Sequence, residues 1–285
     1  SCSPISPPGC LLAVYEQNAV KFKSLDVLVL DEADNMLNMG FAEEIQKIMT
    51  LLPTQRQNLM FSATFSDAIR LLAKGIVNNP VEISVNPINV VASTVKQWMY
   101  ATDKKKKSAL LTKLIKDNDW QQVLVFVRTK NGADRLTRYL QEKGINTAAI
   151  HGNKSQGART RVLAEFKNSE LQVLVATDLA ARGLDIDQLP QVVNFDMPHI
   201  AEDYIHRIGR TGRAGSKGQA VSLVSADEFK ELTAIERLIQ QLITRKTIAD
   251  FKPVNDVPES CLDTRPIKAK KPKKPKKPKT EHRDG

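Results

Sequence analysis

The chain has 285 residues and a formal net charge of +10, and its 41% hydrophobic and 26% charged residues are ordinary for a soluble globular protein. This length favours one or two domains with a sizeable core. No apolar run approaches the roughly 18 residues that a membrane-spanning helix needs. The three cysteines have neither a C-x-x-C pair nor disulfide-like spacing, which argues against a zinc site and favours a reducing, cytoplasmic location.

The predicted elements alternate between short apolar runs and segments of helical periodicity. In chain order, strands are predicted at residues 25–30, 58–61, 81–85, 95–100, 123–127, 147–150, 173–176, 192–195 and 220–224. Helices are predicted at residues 41–52, 66–76, 105–115, 131–143, 156–166, 201–208 and 227–242. Nearly continuous apolar strands between helices indicate an α/β fold with parallel sheets covered on both faces, in two tandem units.

The domain boundaries follow from where this alternation stops. Periodicity is lost over residues 86–93, which predicts a linker between a first domain at 1–85 and a second at 94–245. An extension follows over 246–285, and its last 21 residues, 265–285, contain ten basic and two acidic side chains. This Lys- and Pro-rich tail has a net charge of +8, which leaves only +2 for the rest of the chain. We expect the tail to be disordered, and specific nucleic-acid contacts of the body must come from particular residues.

An acidic sequence stands directly after the first predicted strand, in the order Asp31-Glu32-Ala33-Asp34. Carboxylates at the carboxyl edge of a parallel sheet lie where α/β folds bind ligands. One such acid can hold Mg²⁺, usually through water, while its neighbour polarises an attacking water. The simpler alternative is an acidic helix N-cap without a chemical role.

This quartet and five further motifs resemble those of the DEAD-box RNA helicases. In family order, the matching segments are residues 29–41 (motif II), 62–64 (motif III), 125–130 (motif IV), 151–159 (the Gln-x-x-Arg motif), 176–185 (motif V) and 206–213 (motif VI). The resemblance covers about residues 7–245 and implies tandem RecA-like domains, the first incomplete and the second complete. The short basic tail is similar to the tails of bacterial members.

The resemblance also implies an activity, namely ATP-dependent local unwinding of short RNA duplexes, with ATP and Mg²⁺ as cofactors. Asp31 would hold the Mg²⁺–ATP complex, and Glu32 would orient or deprotonate the attacking water. Arg210 and Arg213 would contact the γ-phosphate as arginine fingers, and Asp185 would bind the nucleotide ribose.

Two further sets of residues are implied by their motif positions. The set that would couple the nucleotide site to domain closure is Asp34, Ser62, Thr64 and His206. The set that would bind RNA is Thr129, Gln156, Arg159 and Thr177. Such polar residues suit phosphates and 2′-hydroxyls of single-stranded or short duplex RNA, without reading its bases. Ribosomal or RNA-decay assemblies are expected as further partners.

Some of these residues have simpler interpretations. The arginines of the last motif, at a spacing of three, could form one solvated helix face: Arg207, Arg210 and Arg213. The run 104–107 consists of four lysines and is predicted to be a solvated face as well, with RNA contact as the alternative. Trp98 and Trp120 are expected to pack in the core instead of stacking on bases. His151 is expected to be structural or close to RNA, whereas His199 is expected to be an ordinary surface residue.

The sequence departs from the family pattern before the acidic motif. It contains no G-x-x-x-x-G-K-[ST] phosphate-binding loop and no adenine-reading glutamine motif, and residues 7–10 read Pro-Pro-Gly-Cys where the family has Thr-Pro-Gly-Arg. We therefore expect a first domain truncated at its N-terminus and a chain that is inactive alone as an ATP hydrolase.

Three functions remain open at this stage. The chain can be part of an ATP-dependent RNA helicase, a non-catalytic RNA-binding module, or a related ATPase that acts on DNA. The Asp-Glu-Ala-Asp sequence together with Ser62-Ala63-Thr64 argues against the third.

Overall fold

The computed structural model describes residues 6–62, 67–83, 95–181, 186, 188–212 and 218–264. These residues form two compact units, the first within Ser1–Ile83 and the second within Ser84–Thr264. The predicted linker at 86–93 and the basic tail lie outside the described residues. In the part of the chain that is described, no helix is long and apolar enough to cross a membrane.

The first unit is built on a pair of parallel strands. Its described elements are α1 Pro8–Glu16, β1 Val27–Leu30, α2 Ala33–Asn38, α3 Ala42–Leu51, β2 Gln57–Met60 and α4 Asp67–Ile76. Strand β1 pairs with β2 in parallel, so that Leu30 lies opposite Met60 and both strands end at the same edge. Leu30 packs with Ile45 of α3 and Ile76 of α4, which holds these helices against one face of the strands.

The other side of β1 is open to solvent. Val27 and Val29 alternate with Leu28 and Leu30 along the strand and are 46% and 54% exposed. The strand predicted at 81–85 is wrong over its described residues, 81–83, which belong to no strand. Val81 and Ile83 are 86% and 78% exposed, so neither gains the burial that would hold a strand in place.

The second unit is a seven-stranded parallel sheet with helices on both faces. Its described elements are β3 Val95–Ala101, α5 Lys107–Asp117, β4 Val123–Phe126, α6 Lys130–Glu142, β5 Thr147–Ile150, α7 Gln156–Lys167, β6 Val173–Ala176, α8 Asp178–Ala181, β7 Gln191–Asn194, α9 Ala201–Ile208, β8 Gly218–Val224, α10 Phe229–Ile239 and β9 Thr244–Lys246. The strand order is β5-β6-β4-β7-β8-β3-β9. Every neighbouring pair in this order is parallel.

Alternation along the strands produces a core on each face of this sheet. Val123 and Val125 of β4 point to one face, where they pack with α5 and α6. Leu124 and Phe126 point to the other face, which is covered in part by α7 and α8. Helices α9 and α10 pack on that second face against β3 and β8. Central strands buried on both faces explain why the sequence shows continuous apolar runs instead of alternation.

Both tryptophans lie in the core shared by β3, α5 and α6. Trp98 is 7% exposed and Trp120 is 5% exposed, which confirms the prediction that they pack. The chain after β9 returns to this unit, because Arg245 donates to the Val257 carbonyl at 2.8 Å and Val257 is buried beside α10. The described part of the extension therefore belongs to the second unit.

The lysine run at 104–107 is only partly solvated. Lys104 is exposed, but Lys107 is 1% exposed at the start of α5 and donates to the Phe195 carbonyl at 2.8 Å. Its ammonium also pairs with the buried carboxylate of Glu228. The prediction of a solvated face is wrong for Lys107, because a partner 121 residues away in the sequence compensates its charge.

Candidate functional site

The acidic loop begins where β1 ends. Asp31 is exposed, and its Oδ1 accepts a hydrogen bond from the Glu32 amide at 2.9 Å. Glu32 has a left-handed backbone, with φ 51° and ψ 46°, and stands at the N-cap position of α2 without capping it through its side chain. The alternative of a simple acidic N-cap therefore does not describe Glu32.

The Glu32 carboxylate is oriented by a residue that the sequence analysis missed. Asn35 is 5% exposed, and its Nδ2 donates to Glu32 Oε2 at 2.8 Å. The spacing of three residues at a helix start was the available signal, since it brings two side chains to one side of the first turn. A strained backbone and a fixed amide donor together restrict the directions in which Glu32 can act.

Two backbone hydrogen bonds join this loop to the segment that follows β2. The Phe61 amide donates to the Leu30 carbonyl at 2.8 Å, and the Ala33 amide donates to the Phe61 carbonyl at 3.0 Å. Asp34, in the first turn of α2, is 6% exposed, and Ser62 follows Phe61 directly. Thus the loops that carry Asp34 and Ser62 are tied together, whereas Thr64 lies outside the described residues.

The Asp31 carboxylate at this edge suits Mg²⁺, provided that phosphate oxygens and water supply most of the other ligands. Asp31 offers an exposed carboxylate, and carboxylate oxygens are what Mg²⁺ prefers. Within the described residues, no group of three or more His, Cys, Asp or Glu side chains could hold a metal ion. One carboxylate is sufficient where phosphate oxygens and water complete the octahedron, which is how Mg²⁺ usually accompanies nucleotides.

A buried arginine organises the carboxyl edge of the second sheet. Arg207 of α9 is 1% exposed and makes a bidentate pair with Asp178, with N–O distances of 2.6 and 2.8 Å. It also donates to Asn194 Oδ1 at 3.1 Å and to the Asp196 carbonyl at 2.6 Å. Its guanidinium lies 5.1 Å from the ring centroid of Phe126. This side chain therefore joins the ends of β4, β6 and β7.

This geometry changes the interpretation of the three arginines at a spacing of three. The solvated-face alternative is wrong for Arg207, because its face of α9 is buried against the sheet. It does not describe Arg210 either, since α9 ends at Ile208 and Arg210 follows the C-cap Gly209. Arg213 lies outside the described residues. The missed signal was Asn194, a polar residue that ends an apolar strand and whose side-chain oxygen accepts from Arg207.

Arg210 stands in the turn at residues 209–212, which follows α9 directly. Its carbonyl accepts a hydrogen bond from the Leu189 amide at 3.0 Å, and the Thr211 hydroxyl donates back to the Leu189 carbonyl. Gly218 at the start of β8 lies so close that a Cβ there would overlap Thr211 and the Gly212 amide. The turn is therefore pressed onto the sheet edge, and Arg210 and His206 line one small cleft together with Asp178. Asp185 lies outside the described residues.

The four residues predicted to bind RNA lie at the carboxyl ends of three adjacent strands. Thr129 follows β4 and caps α6, because its Oγ1 accepts from the Gly132 amide at 3.0 Å. Gln156 and Arg159 are in the first turn of α7, after β5, and Thr177 lies between β6 and α8. Since β5, β6 and β4 are neighbours in the sheet, the N-termini of α6, α7 and α8 lie along one edge. Helix N-termini attract phosphates, so this edge is suited to a phosphate backbone.

Arg159 has donor capacity to spare at this edge. Its Nη1 donates to Gln156 Oε1 at a long 3.4 Å, and among the described residues its buried Nε has no hydrogen-bond partner. A buried guanidinium N–H without a partner is uncommon in a folded protein. A phosphate oxygen at the start of α7 would satisfy it.

His151 supports the loop that leads into α7. It is 1% exposed, its Nε2 lies 3.0 Å from Asp134 Oδ1, and its Nδ1 accepts from the Asn153 amide. The hydrogen bonds from His151 and from Lys154 hold the pKa of Asp134 below its ordinary value. His151 therefore has a structural role beside the predicted RNA edge, whereas His199 is 62% exposed and pairs with Glu231.

Comparison with known proteins agrees with this arrangement. Residues 4–72 match the family model of the DEAD/DEAH box helicases, and residues 106–215 match that of the helicase conserved C-terminal domain. One similar solved structure is the crystal structure of the E. coli DEAD-box protein SrmB bound to regulator of ribonuclease activity A, with a TM-score of 0.55. Its sequence is 40% identical to this chain, and the match covers 58% of this chain and 98% of the SrmB chain.

The chain belongs to the DEAD-box helicase family. The ATP-dependent RNA helicase RhlB of Pseudomonas syringae is 38% identical over 245 residues, which are 85% of this chain and 62% of RhlB. S. cerevisiae Dbp5 L327V bound to RNA and ADP BeF3 is 34% identical with a TM-score of 0.78, over 85% of this chain and 65% of Dbp5. The two parallel α/β units thus have the tandem RecA-like fold of DEAD-box helicases. The chain spans about half to two thirds of the length of the curated relatives it matches.

Proposed function

We propose that this DEAD-box chain works within an ATP-dependent RNA helicase that separates short RNA duplexes locally. The observation that carries the proposal is the pair of sheet edges with ordered polar residues: Glu32 oriented by Asn35 in one unit, and Arg210 beside the Arg207–Asp178 pair in the other. Catalysis of phosphoryl transfer depends mainly on such positioning of charge.

In the proposed reaction, Asp31 would hold Mg²⁺, and Glu32 would orient the attacking water or accept its proton. When bound, Mg²⁺ neutralises part of the charge on the nucleotide phosphates. Arg210 and Arg213 stabilise negative charge on the transferred phosphoryl group, and Asp185 binds the ribose. The bidentate contact of Arg207 with Asp178 supports this role, because it fixes the helix that ends two residues before Arg210.

We propose that the segments after β1 and β2 couple the nucleotide site to domain closure. Asp34 and Ser62 belong to loops that share two backbone hydrogen bonds, so a displacement of one loop is transmitted to the other. Thr64 would continue this connection, and His206, which lines the small cleft with Arg210, would sense the phosphoryl group in the second unit.

RNA is proposed to bind along the edge formed by the starts of α6, α7 and α8, through Thr129, Gln156, Arg159 and Thr177. The Nε of Arg159, which has no hydrogen-bond partner among the described residues, and the N-termini of α6 and α7 support a phosphate contact that is independent of sequence. The RNA-bound structure of Dbp5 supports RNA as the ligand class.

The complex of SrmB with regulator of ribonuclease activity A supports an RNA-decay partner for this chain, and a ribosomal partner is the alternative. Free, exposed Cys10 and Cys261 support a cytoplasmic location.

RNA binding is tested by fluorescence anisotropy with a labelled 12-nucleotide poly(U) strand. Arg159→Ala should weaken binding about 5- to 10-fold and reduce the salt slope by roughly 0.7, the value for one phosphate contact to a single strand. Arg135→Ala, an exposed arginine of α6 away from this edge, is the matched control and should change neither. Equal effects of the two substitutions would contradict the proposed edge.

A second candidate function is a non-catalytic RNA-binding module. The absence of a G-x-x-x-x-G-K-[ST] sequence from the 285 residues favours it for this polypeptide, because that sequence is what supplies the ring of backbone amides for the β- and γ-phosphates. We expect no RNA-stimulated phosphate release from the chain alone in a malachite-green assay. Turnover that is abolished by Glu32→Gln would contradict this expectation and favour the first function.

A further inference from the structure

The open edge of the second sheet lies in a cleft. Strand β5 is the last strand of the sheet and pairs only with β6 among the described strands. Helix α6 packs on one face of the sheet through Leu136 and Leu140, and α7 packs on the opposite face through Phe166. The edge of β5 is therefore flanked by a helix on each side. The space between them is a cleft of about 600 Å³.

The backbone of β5 points into this cleft at alternate residues. The Asn146 carbonyl accepts from the Val173 amide, so residue 146 faces β6. Residue 147 faces outwards instead, because the side chain of Gln141, which lines the cleft, donates to the Thr147 carbonyl at 2.8 Å. By the two-residue period of a strand, the N–H and C=O of Ala149 point to the same open edge. These are the groups that a further strand would pair with.

The walls of the cleft leave room for such a strand, and one of them carries a buried hydroxyl group without a hydrogen-bond partner in the described part of the chain. The floor consists of the small residues Ala148 and Ala149, with Ala158 on the α7 side. Thr137 of α6 also lines the cleft and is 8% exposed, yet in the described part of the chain its Oγ1 has no hydrogen-bond partner. A buried hydroxyl without a partner indicates a missing polar neighbour.

The charged residues around the cleft indicate which charge a ligand in the cleft would carry. Three cations line it, Arg138, Lys154 and Arg161, against one anion, Asp134. Asp134 already accepts hydrogen bonds from His151 and Lys154. Arg161 is 75% exposed and touches Glu165 through a long 3.7 Å pair. The cleft is thus complementary to an acidic ligand, and the chain's own Lys-rich tail has the wrong charge to fill it.

We propose that the open edge of β5, between α6 and α7, is a docking site for an acidic, extended peptide segment of a partner protein, which adds to the sheet as an eighth strand. Main-chain hydrogen bonds to Ala149 would supply affinity, and contacts of Arg138 and Arg161 with acidic side chains would supply selectivity. A nucleic acid could meet the cations but has no backbone pattern to match a strand edge. The cleft adjoins the RNA edge proposed above at the start of α7, but none of the four residues proposed to bind RNA lines it, and the proposal does not depend on them.

The test begins with selection of phage-displayed linear 12-residue peptides on the whole 285-residue chain. The library is first depleted on the Arg138→Glu/Arg161→Glu variant. Because this variant and the unsubstituted chain both contain the Lys-rich tail, the depletion removes peptides that bind the tail. We expect the enriched peptides to be acidic and rich in β-branched residues. Failure to enrich acidic peptides would overturn the proposal.

Labelled peptides from this selection then report on the site itself. Anisotropy should show at least a 10-fold loss of affinity in the Arg138→Glu/Arg161→Glu variant and less than a 2-fold change in Arg135→Glu, the matched control on the same helix. Both substituted side chains are exposed, so the variant should keep its fold, which circular dichroism verifies. Equal affinities for both variants would overturn the proposal.

Hydrogen exchange distinguishes strand addition from loose electrostatic binding. On peptide binding, exchange of the Ala149 amide should slow at least 10-fold, and Ala148→Leu, which fills the floor of the cleft, should abolish the effect. An unchanged Ala149 amide would refute strand addition. If the charge-reversed variant instead lost poly(U) affinity as strongly, the cleft would be an RNA site. If it lost self-association in analytical ultracentrifugation, a second copy would be the occupant. Either result would overturn the proposal.

Discussion

Replacing Arg207 by methionine keeps an unbranched, largely apolar stem but removes the guanidinium, its charge and its four hydrogen bonds, two to Asp178 and one each to Asn194 and the Asp196 carbonyl. The change leaves the Asp178 carboxylate without its cation. Breaking a buried ion pair in this way costs about 3–5 kcal/mol. Because the side chain of Asp178 is 27% exposed and can recover part of its hydration, we expect a loss near the lower end, about 3 kcal/mol.

Urea unfolding followed by tryptophan fluorescence measures this loss in the second unit alone. The chain has two tryptophans, and both are buried in that unit. A loss of about 3 kcal/mol should lower the Tm by roughly 6–12 °C for a domain of this size. Arg135→Met, the same chemical change at an exposed position of α6, is the control and should alter the free energy of unfolding by less than about 0.5 kcal/mol.

A double-mutant cycle with Asp178→Asn isolates the pair from the general cost of substitution. We expect a coupling energy of about 1.5–3 kcal/mol between positions 207 and 178, because the two side chains share a bidentate contact. Additive effects within about 0.3 kcal/mol, or a loss below about 1 kcal/mol for Arg207→Met, would refute the reasoning that this pair fixes the sheet edge.

Three further predictions concern charges elsewhere. Deletion of residues 265–285 should weaken poly(U) binding and reduce the salt slope by up to about 6, since eight net charges are removed; an unchanged slope in anisotropy titrations would mean that the tail does not contact RNA. Lys107→Met should destabilise the second unit by about 3 kcal/mol in urea, because Glu228 stays buried with the 3.5 Å contact of Arg128 left to compensate its charge, and adding Glu228→Gln should recover part of this loss. The pKa of Asp134 is lowered in the fold, so its stabilising effect is present above its ordinary pKa and disappears as the pH falls through the folded one. Asp134→Asn should therefore cost roughly 0.5–1 kcal/mol at pH 7, the side chain being 38% exposed, and progressively less as the pH falls below the ordinary pKa of the carboxyl; a difference in thermal unfolding that stays constant over this range would contradict this.

Much of the second unit could be predicted from residue patterns. The strands at 147–150 and 173–176 and the helix at 201–208 have the predicted bounds, because apolar runs and amphipathic periodicity are local properties. The shortest elements were missed, because α2, α8 and β9 have too few residues for a period to show. Helix α1 has nine residues and was missed for another reason, since its apolar residues 10–14 are consecutive and show no helical period. The opposite error occurred at residues 81–83, where a strand was predicted and none exists. An apolar run becomes a strand only where a neighbouring strand pairs with it.

The sequence by itself determined the family, the α/β class and which residues stand at the ends of the strands, because motifs and apolar runs are written in consecutive residues. Only the tertiary structure decided which charges are buried and what compensates them. Lys107 and Arg207 are indistinguishable from solvated residues in the sequence, yet their partners Glu228 and Asp178 lie 121 and 29 residues away. A charge can be buried only where the fold brings an opposite charge and further hydrogen bonds to it, and that meeting depends on the order of the strands in the sheet.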